Sequence, residues 1–204
     1  GADSRCIQRG DSNRLPFLFI RGRNVYYGAK TLNAYAIIAA GGSGRQMGAD
    51  IPKQLLELGG ITIFERTLGP FLRCADIDGI VVVAAASVIE HITNVVENIS
   101  DTPKSVTVVQ GGAERQDSVR NGLNAVPADT DVVVIHDAVR PFITPSLISA
   151  CVKSAYEHGA VGVMRPLKET LKSVSGGIVE ETLDRKKLWI AQTPQAFTRA
   201  LIAE

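Results

Sequence analysis

Apolar and polar positions follow two different periods along this chain. From position 34 onward, short apolar runs at 35–39, 79–85, 105–109, 131–135 and 160–164 alternate with longer stretches at 63–72, 88–98, 116–125 and 145–158, whose apolar residues recur at helical spacing. The first set, dense in Val, Ile and Ala, reads as strands covered on both faces; the second reads as helices. Ser87 and Thr144 stand where an N-cap side chain would accept a backbone N–H. Such alternation predicts an α/β fold with a mostly parallel sheet and helices on both faces.

One segment breaks the alternation. Lys168-Glu169-Thr170-Leu171-Lys172-Ser173-Val174, then Ser175-Gly176-Gly177, then Ile178-Val179-Glu180-Glu181-Thr182 reads as a β-hairpin with a glycine turn. It predicts a protruding arm at about 168–184. Both faces are polar for a core strand pair, and an isolated hairpin is marginal in water. A partner should therefore cover it; on a monomer it would stand in solvent.

Composition narrows the function classes. The 204 residues are 45% hydrophobic, enough for the core of one domain, and the net charge of +1 gives no field for nucleic acid or an anionic membrane. The apolar run at 80–89 is too short to span a bilayer. Cys6, Cys74 and Cys151 are odd in number and far apart, which fits neither a disulfide framework nor a zinc site and suits a reducing cytoplasm. Residues 1–34 stand apart: Arg5, Arg9, Arg14, Arg21 and Arg23 lie among polar residues around one apolar run at 17–20. They read as a poorly ordered leader or non-native extension, or else as an arginine-rich transit peptide, which would address the chain to a plastid. Residues 35–204 form the remaining domain.

Chemistry concentrates after the first of these strands. Ala39-Ala40-Gly41-Gly42-Ser43-Gly44-Arg45-Gln46-Met47-Gly48 is a glycine-rich loop, followed on a short spacer by Pro52-Lys53-Gln54. Glycine lets backbone N–H groups close in on an anion, and Arg45 and Lys53 supply positive charge. The place, at the carboxyl end of a strand, is where Rossmann-like sheets bind ligands. No Walker loop is present, and Met47 stands where the dinucleotide fingerprint needs its third glycine. Ser43 does not sit in a Gly-x-Ser-x-Gly elbow, so nucleophilic catalysis has no foothold here.

Further blocks follow in order: Gly111-Gly112-Ala113-Glu114-Arg115-Gln116-Asp117-Ser118-Val119, His136-Asp137-Ala138-Val139-Arg140-Pro141, Thr182-Leu183-Asp184-Arg185 and Gln192-Thr193-Pro194-Gln195-Ala196-Phe197. With the first loop they resemble the signature of nucleotidyltransferases of glycosyltransferase-A-like fold. In particular they resemble the 2-C-methyl-D-erythritol 4-phosphate cytidylyltransferase family, from about position 36 to the last residue. The resemblance implies transfer of a cytidylyl group from CTP to 2-C-methyl-D-erythritol 4-phosphate with release of pyrophosphate, in isoprenoid precursor synthesis, with Mg2+ or another divalent cation as cofactor.

It also implies roles. Ala39, Ala40, Gly41, Gly42, Ser43 and Gly44 would cradle the triphosphate, while Gly112, Ala113 and Ser118 would read cytosine. Lys53 would stabilise charge at the α-phosphate. The family places arginine immediately before the methionine, where this chain has Gln46; either Arg45 swings into that role or the site is weakened. Asp137 would meet the ribose or a phosphate-bound Mg2+, with a plain Asp137–Arg140 ion pair as the structural alternative. Arg140 and Thr193 would grip the sugar phosphate, joined by Thr170 and Arg185 from the arm of a second subunit in a homodimer, with Lys172 a weaker candidate and Asp184 steadying Arg185. His136 reads as a packed, hydrogen-bonded histidine, and Trp189 as core packing. The family runs on beyond the position matching Glu204, through a strand with a further substrate-contacting lysine, which implies a truncated piece. Two rival readings remain open at this point: a ribitol-5-phosphate cytidylyltransferase, and a catalytically silent nucleotide-binding homologue.

Overall fold

The computed structural model describes residues 17–21, 32–41, 51–99 and 102–204, the first group by its backbone alone. Its main sheet has seven strands: β1 (Phe17–Arg21), β2 (Ala34–Ala40), β3 (Gly79–Ala84), β4 (Ser105–Gln110), β5 (Val132–Asp137), β6 (Gly159–Pro166) and β9 (Trp189–Thr198). Their spatial order is β1-β6-β9-β5-β2-β3-β4. β2 pairs in parallel with β3 and β5, and β3 with β4. β9 runs antiparallel between β5 and β6, and β1 lies antiparallel to β6.

The α/β architecture is as the pattern predicts, because the central strands are apolar on both faces. Every residue of β3 is buried. Alternate residues feed two cores. On one face Ala36, Ile38, Ile80, Val82 and Val134 pack under α1 (Ile63–Arg73), α2 (Ile89–Glu97) and α4 (Pro145–His158) through Phe64, Phe71, Ile92 and Ile148. On the other, Ile37, Val81, Val83, Val133 and Ile135 meet Val119 and Leu123 of α3 (Arg115–Ala125). A short α5 (Arg199–Ile202) follows β9.

Local chemistry sets the helix starts. Thr62 and Glu65 form a reciprocal capping box on α1, and the Thr144 side chain accepts from Leu147 N–H at the head of α4, as expected. The expected Ser87 cap is corrected: α2 opens at Val88, which has no side-chain cap bond. A valine side chain has no oxygen to accept an N–H, so the first turn is closed by the backbone alone, Ile92 N–H donating to Val88 O at 3.0 Å. Cys74 and Cys151 are buried free thiols. Burial pushes the Cys151 thiol up to about 12.

Three elements differ from the sequence reading. β1 lies inside the supposed leader, with its backbone paired from Phe17↔Val163 to Arg21↔Gly159. β9 reads in the sequence as a motif and not as a strand, since its polar residues and Pro194 mask the alternation. Trp189 belongs to neither core; it opens β9 half-buried opposite Pro166.

The arm forms a separate two-stranded sheet of β7 (Lys172–Ser175) and β8 (Ile178–Thr182). Gly176 and Gly177 turn it at φ 56° and 82°, a conformation that side chains rarely adopt. Strand pairing starts at Lys172, four residues later than the hairpin reading allowed. Among the described residues no helix is long and apolar enough to cross a membrane.

Candidate active site

Parallel strands end together. The pairings Ala39↔Asp137 and Ala40↔Ala84, with Gly111 N–H donating to Ala84 O at 2.8 Å, bring the ends of β2, β3 and β5 and the turn after β4 to one edge. Ala40 is buried there, Ala39 half-buried and Gly41 exposed. Ser118, on the first turns of α3, is only 7% exposed, and its hydroxyl accepts the Gly112 N–H at 3.1 Å. A Cβ on Gly112 would lie 2.3 Å from Asp117 Cβ, so only glycine allows this approach of turn to helix. Ser118 thus shapes the turn that presents the exposed Gly112 and Ala113. Its hydroxyl also faces Gly41, whose Cβ would meet it at 3.5 Å.

Lys53 is brought to this edge by its neighbour. Gln54 is buried, and its Nε2 donates to Ala40 O at 3.2 Å. The backbone bonds Leu55 N–H to Pro52 O and Leu56 N–H to Lys53 O close a 3-10 turn over Lys53–Leu55. Half-buried Lys53 therefore stands one residue from a side chain tied to the end of β2. Gly42, Ser43, Gly44, Arg45 and Gln46 lie outside the described residues, and with them the question of which side chain replaces the family's arginine.

The charge at the edge is organised by Asp137. Arg115 Nη1 reaches its Oδ1 and Arg140 Nε its Oδ2, each at 2.7 Å. Burial alone would push the Asp137 carboxyl up, but the bond from Arg140 and the charge and bond of Arg115 outweigh it. The group is held below the usual carboxylate range and stays ionised. The ion pair considered as the structural alternative is present, and two arginines make it where one was expected. Asp137 N–H donates to the hydroxyl of buried Thr193 at 3.2 Å, and Arg140 Nη1 donates to Gln192 Oε1 at 2.5 Å.

His136, 1% exposed, bonds Arg140 O through Nε2 at 3.2 Å and tilts against the Phe71 ring at 5.2 Å. Burial lowers its pKa to about 4, against a smaller opposing effect of the Arg140 carbonyl, so the ring is neutral at pH 7 and donates that bond. This is the packed histidine expected, and it holds the backbone of Arg140. Arg115 and Gln192 are the site residues that sequence reasoning missed. Both lie inside quoted motifs, but an arginine opening a helix and a glutamine in a strand carry no signal until the partner is seen.

The arm residues form a second group. Arg185 Nη1 donates to Lys168 O at 2.8 Å, Lys172 Nζ to Thr182 Oγ1 at 2.5 Å, and Thr170 is exposed. Asp184 accepts from Lys186 N–H and caps the turn Arg185–Lys187, in place of the expected contact to Arg185. Among the described residues, none of these contacts reaches Asp137 or Arg140 within the same chain.

The model of the family described as IspD, 2-C-methyl-D-erythritol 4-phosphate cytidylyltransferase, matches residues 34–204. The chain belongs to the 2-C-methyl-D-erythritol 4-phosphate cytidylyltransferase family. A family member of Syntrophus aciditrophicus is 42% identical over 170 residues, covering 83% of this chain and 73% of its own. Another, of Geobacter metallireducens, is 44% identical over 171 residues, with coverage of 82% and 74%. Among solved structures, 4-diphosphocytidyl-2C-methyl-D-erythritol synthase of Anaerococcus prevotii superposes with a TM-score of 0.72 at 29% identity, covering 84% of this chain and 74% of its own. All three carry the methylerythritol name, which favours that branch of the cytidylyltransferases over the ribitol phosphate one.

Among the described residues, no three His, Cys, Asp or Glu side chains group to hold a metal ion. What the described residues can offer a phosphate-bound Mg2+ is a single carboxylate. Asp137 suits that role. It is an ionised hard-oxygen donor, and its two arginines occupy two of the roughly four lone-pair positions of a carboxylate.

Proposed function

We propose that this chain transfers the cytidylyl group of CTP to 2-C-methyl-D-erythritol 4-phosphate and releases pyrophosphate, a step of isoprenoid precursor synthesis by the non-mevalonate route. The observation that carries the reading is the arrangement on one strand edge of Lys53, the Gly112–Ala113 turn and the Arg115–Asp137–Arg140 cluster. It supplies fixed donors and excess positive charge, which a reaction between two phosphates requires.

In this reaction an oxygen of the sugar phosphate attacks the α-phosphorus of CTP. The bond from that phosphorus to the bridging oxygen breaks, and its electron pair leaves with pyrophosphate. The attacking group is a phosphate monoester, already ionised at neutral pH, so no side chain need take a proton. Neutral His136 is accordingly free to serve as scaffold. Lys53 neutralises charge gathering at the α-phosphate, together with the glycine-loop amides and Arg45 or Gln46. Arg140 and Thr193 orient the attacking phosphate. Gly112 and Ala113 offer backbone groups to cytosine, and a wrong base would leave them unpaired. Mg2+, held by the phosphates with Asp137 beside them, would add neutralising charge when bound.

Thr170 and Arg185 complete the sugar-phosphate side from the arm of a second copy. Exposed Leu171, Val174, Ile178 and Val179 support that homodimer, since an arm with four bare apolar side chains needs a cover. Buried free thiols suit a reducing compartment such as the cytoplasm.

The test is pyrophosphate release from CTP with methylerythritol phosphate, with ribitol 5-phosphate, or with neither, each with and without Mg2+. Release with the first alone is expected. Turnover only with ribitol 5-phosphate would replace the substrate, and CTP binding without release would mark a silent homologue.

A further inference from the structure

Arg140 carries five N–H donors, and its orientation decides what they can grip. Its Nε is bound to Asp137 Oδ2 and its Nη1 to Gln192 Oε1. The amide of Gln192 is itself oriented, because Nε2 donates to Ala191 O at 3.0 Å, which leaves Oε1 for the arginine. Below, His136 holds the Arg140 carbonyl. The guanidinium is therefore clamped from two sides, by one carboxylate and one neutral amide, with three donors given to no partner among the described residues.

The choice of a neutral acceptor matters for charge. Two guanidiniums against one carboxylate leave the cluster of Arg115, Asp137 and Arg140 with a net charge of +1. A second carboxylate on Arg140 would bring it to zero while keeping every bond. From this we infer that Gln192 is a positioning residue that aims Arg140 at the anionic phosphate of the second substrate without spending its charge. The inference rests on the proposed function and names a residue through which that site discriminates an anionic substrate. Gln192 acts through Arg140, so its loss strikes the sugar phosphate and spares CTP.

Two substitutions separate aim from charge. Gln192→Leu removes the acceptor; Gln192→Glu keeps it and adds a negative charge. Initial rates on the full chain, varying methylerythritol phosphate and CTP in turn, give KM for each, and thermal unfolding of each variant reports the fold. With a bond to a charged group removed, KM for methylerythritol phosphate should rise about ten-fold in Gln192→Leu. It should rise further in Gln192→Glu, with KM for CTP within about two-fold of wild type. Added salt should narrow the gap between the two variants, since the extra term is electrostatic. Wild-type KM for the sugar phosphate in both variants would overturn the inference, as would equal loss toward both substrates with a lowered melting temperature. No product from the wild-type chain would instead defeat the proposed function itself, so the two failures are read separately.

Discussion

In the proposed function the strand edge and the arm both present cations to phosphate, and they are built in opposite ways. At the edge, Arg115 of α3, Asp137 at the end of β5, Arg140 in the turn after it, and Gln192 and Thr193 of β9 hold one another through one bond of 3 positions and others spanning 22 to 56. On the arm, Lys172, Asp184 and Arg185 bond only within 2 to 17 positions, to their own hairpin or its base. Long-range bonds fix the edge as soon as the sheet forms. Among the described residues the arm's polar side chains have no such ties, and Leu171, Val174, Ile178 and Val179 stand exposed on it. The lesson is one of construction: the polar cluster of the edge is built into the fold by side chains far apart in sequence, whereas the polar groups of the arm engage only their own hairpin and its base.

The sharpest break of that contrast is Lys53→Ala. Removing a preorganised cation from the edge should lower pyrophosphate release by a hundred-fold or more in steady-state assays, with the melting temperature nearly unchanged. Near-wild-type turnover would dismiss Lys53. Next, Ile178→Asp places a charge on the most exposed aliphatic residue of the arm. It should cost the isolated chain less than about 0.5 kcal/mol. Sedimentation should nevertheless show monomers, and turnover should fall with the dimer. A stable dimer at full rate would mean that the arm has no covering partner.

A third test addresses the edge through pH. His136 has a folded pKa of about 4 against 6.5 ordinarily, so between those values the unfolded state holds a proton that the folded state lacks. Stability is then full above pH 6.5 and declines as pH falls toward 4, by about 3 kcal/mol from the shift. Asp137 remains ionised across that window, since its pKa is lowered from 3.8. Urea unfolding from pH 7.5 to 4.5 should show the slope, and His136→Asn should flatten it. The smallest effect is expected at the arm tip: Gly177→Ala places a Cβ at φ 82° with nothing within 4 Å, costing about 1 kcal/mol of strain in the hairpin and little in the global transition.

Sequence pattern disclosed the central sheet well, because buried parallel strands such as Gly79–Ala84 are unbroken apolar runs that resemble nothing else. It located Lys53, Asp137 and Arg140 through motifs. It did not disclose β9, where Gln192, Thr193 and Gln195 interrupt the apolar positions, and with β9 it missed that Gln192 would face Arg140. Arg115 escaped for a similar reason: its partner Asp137 lies 22 positions away, and only strand order brings them together. The resemblance makes Ser118 a ligand contact; its hydroxyl accepts the Gly112 N–H, a bond no local pattern announces, and keeps its own O–H to donate. Long-range polar pairing is set by topology and is invisible to any local period.

The bond from Gln54 to the Ala40 carbonyl pins together two points 14 positions apart, much as a clasp closes a necklace. What is strung between them can lengthen or change at modest entropic expense, because doubling a closed segment adds only about 0.6 kcal/mol. The ammonium next to the clasp keeps its address throughout. Substitutions between positions 41 and 53, glutamine at 46 among them, can therefore accumulate without relocating Lys53.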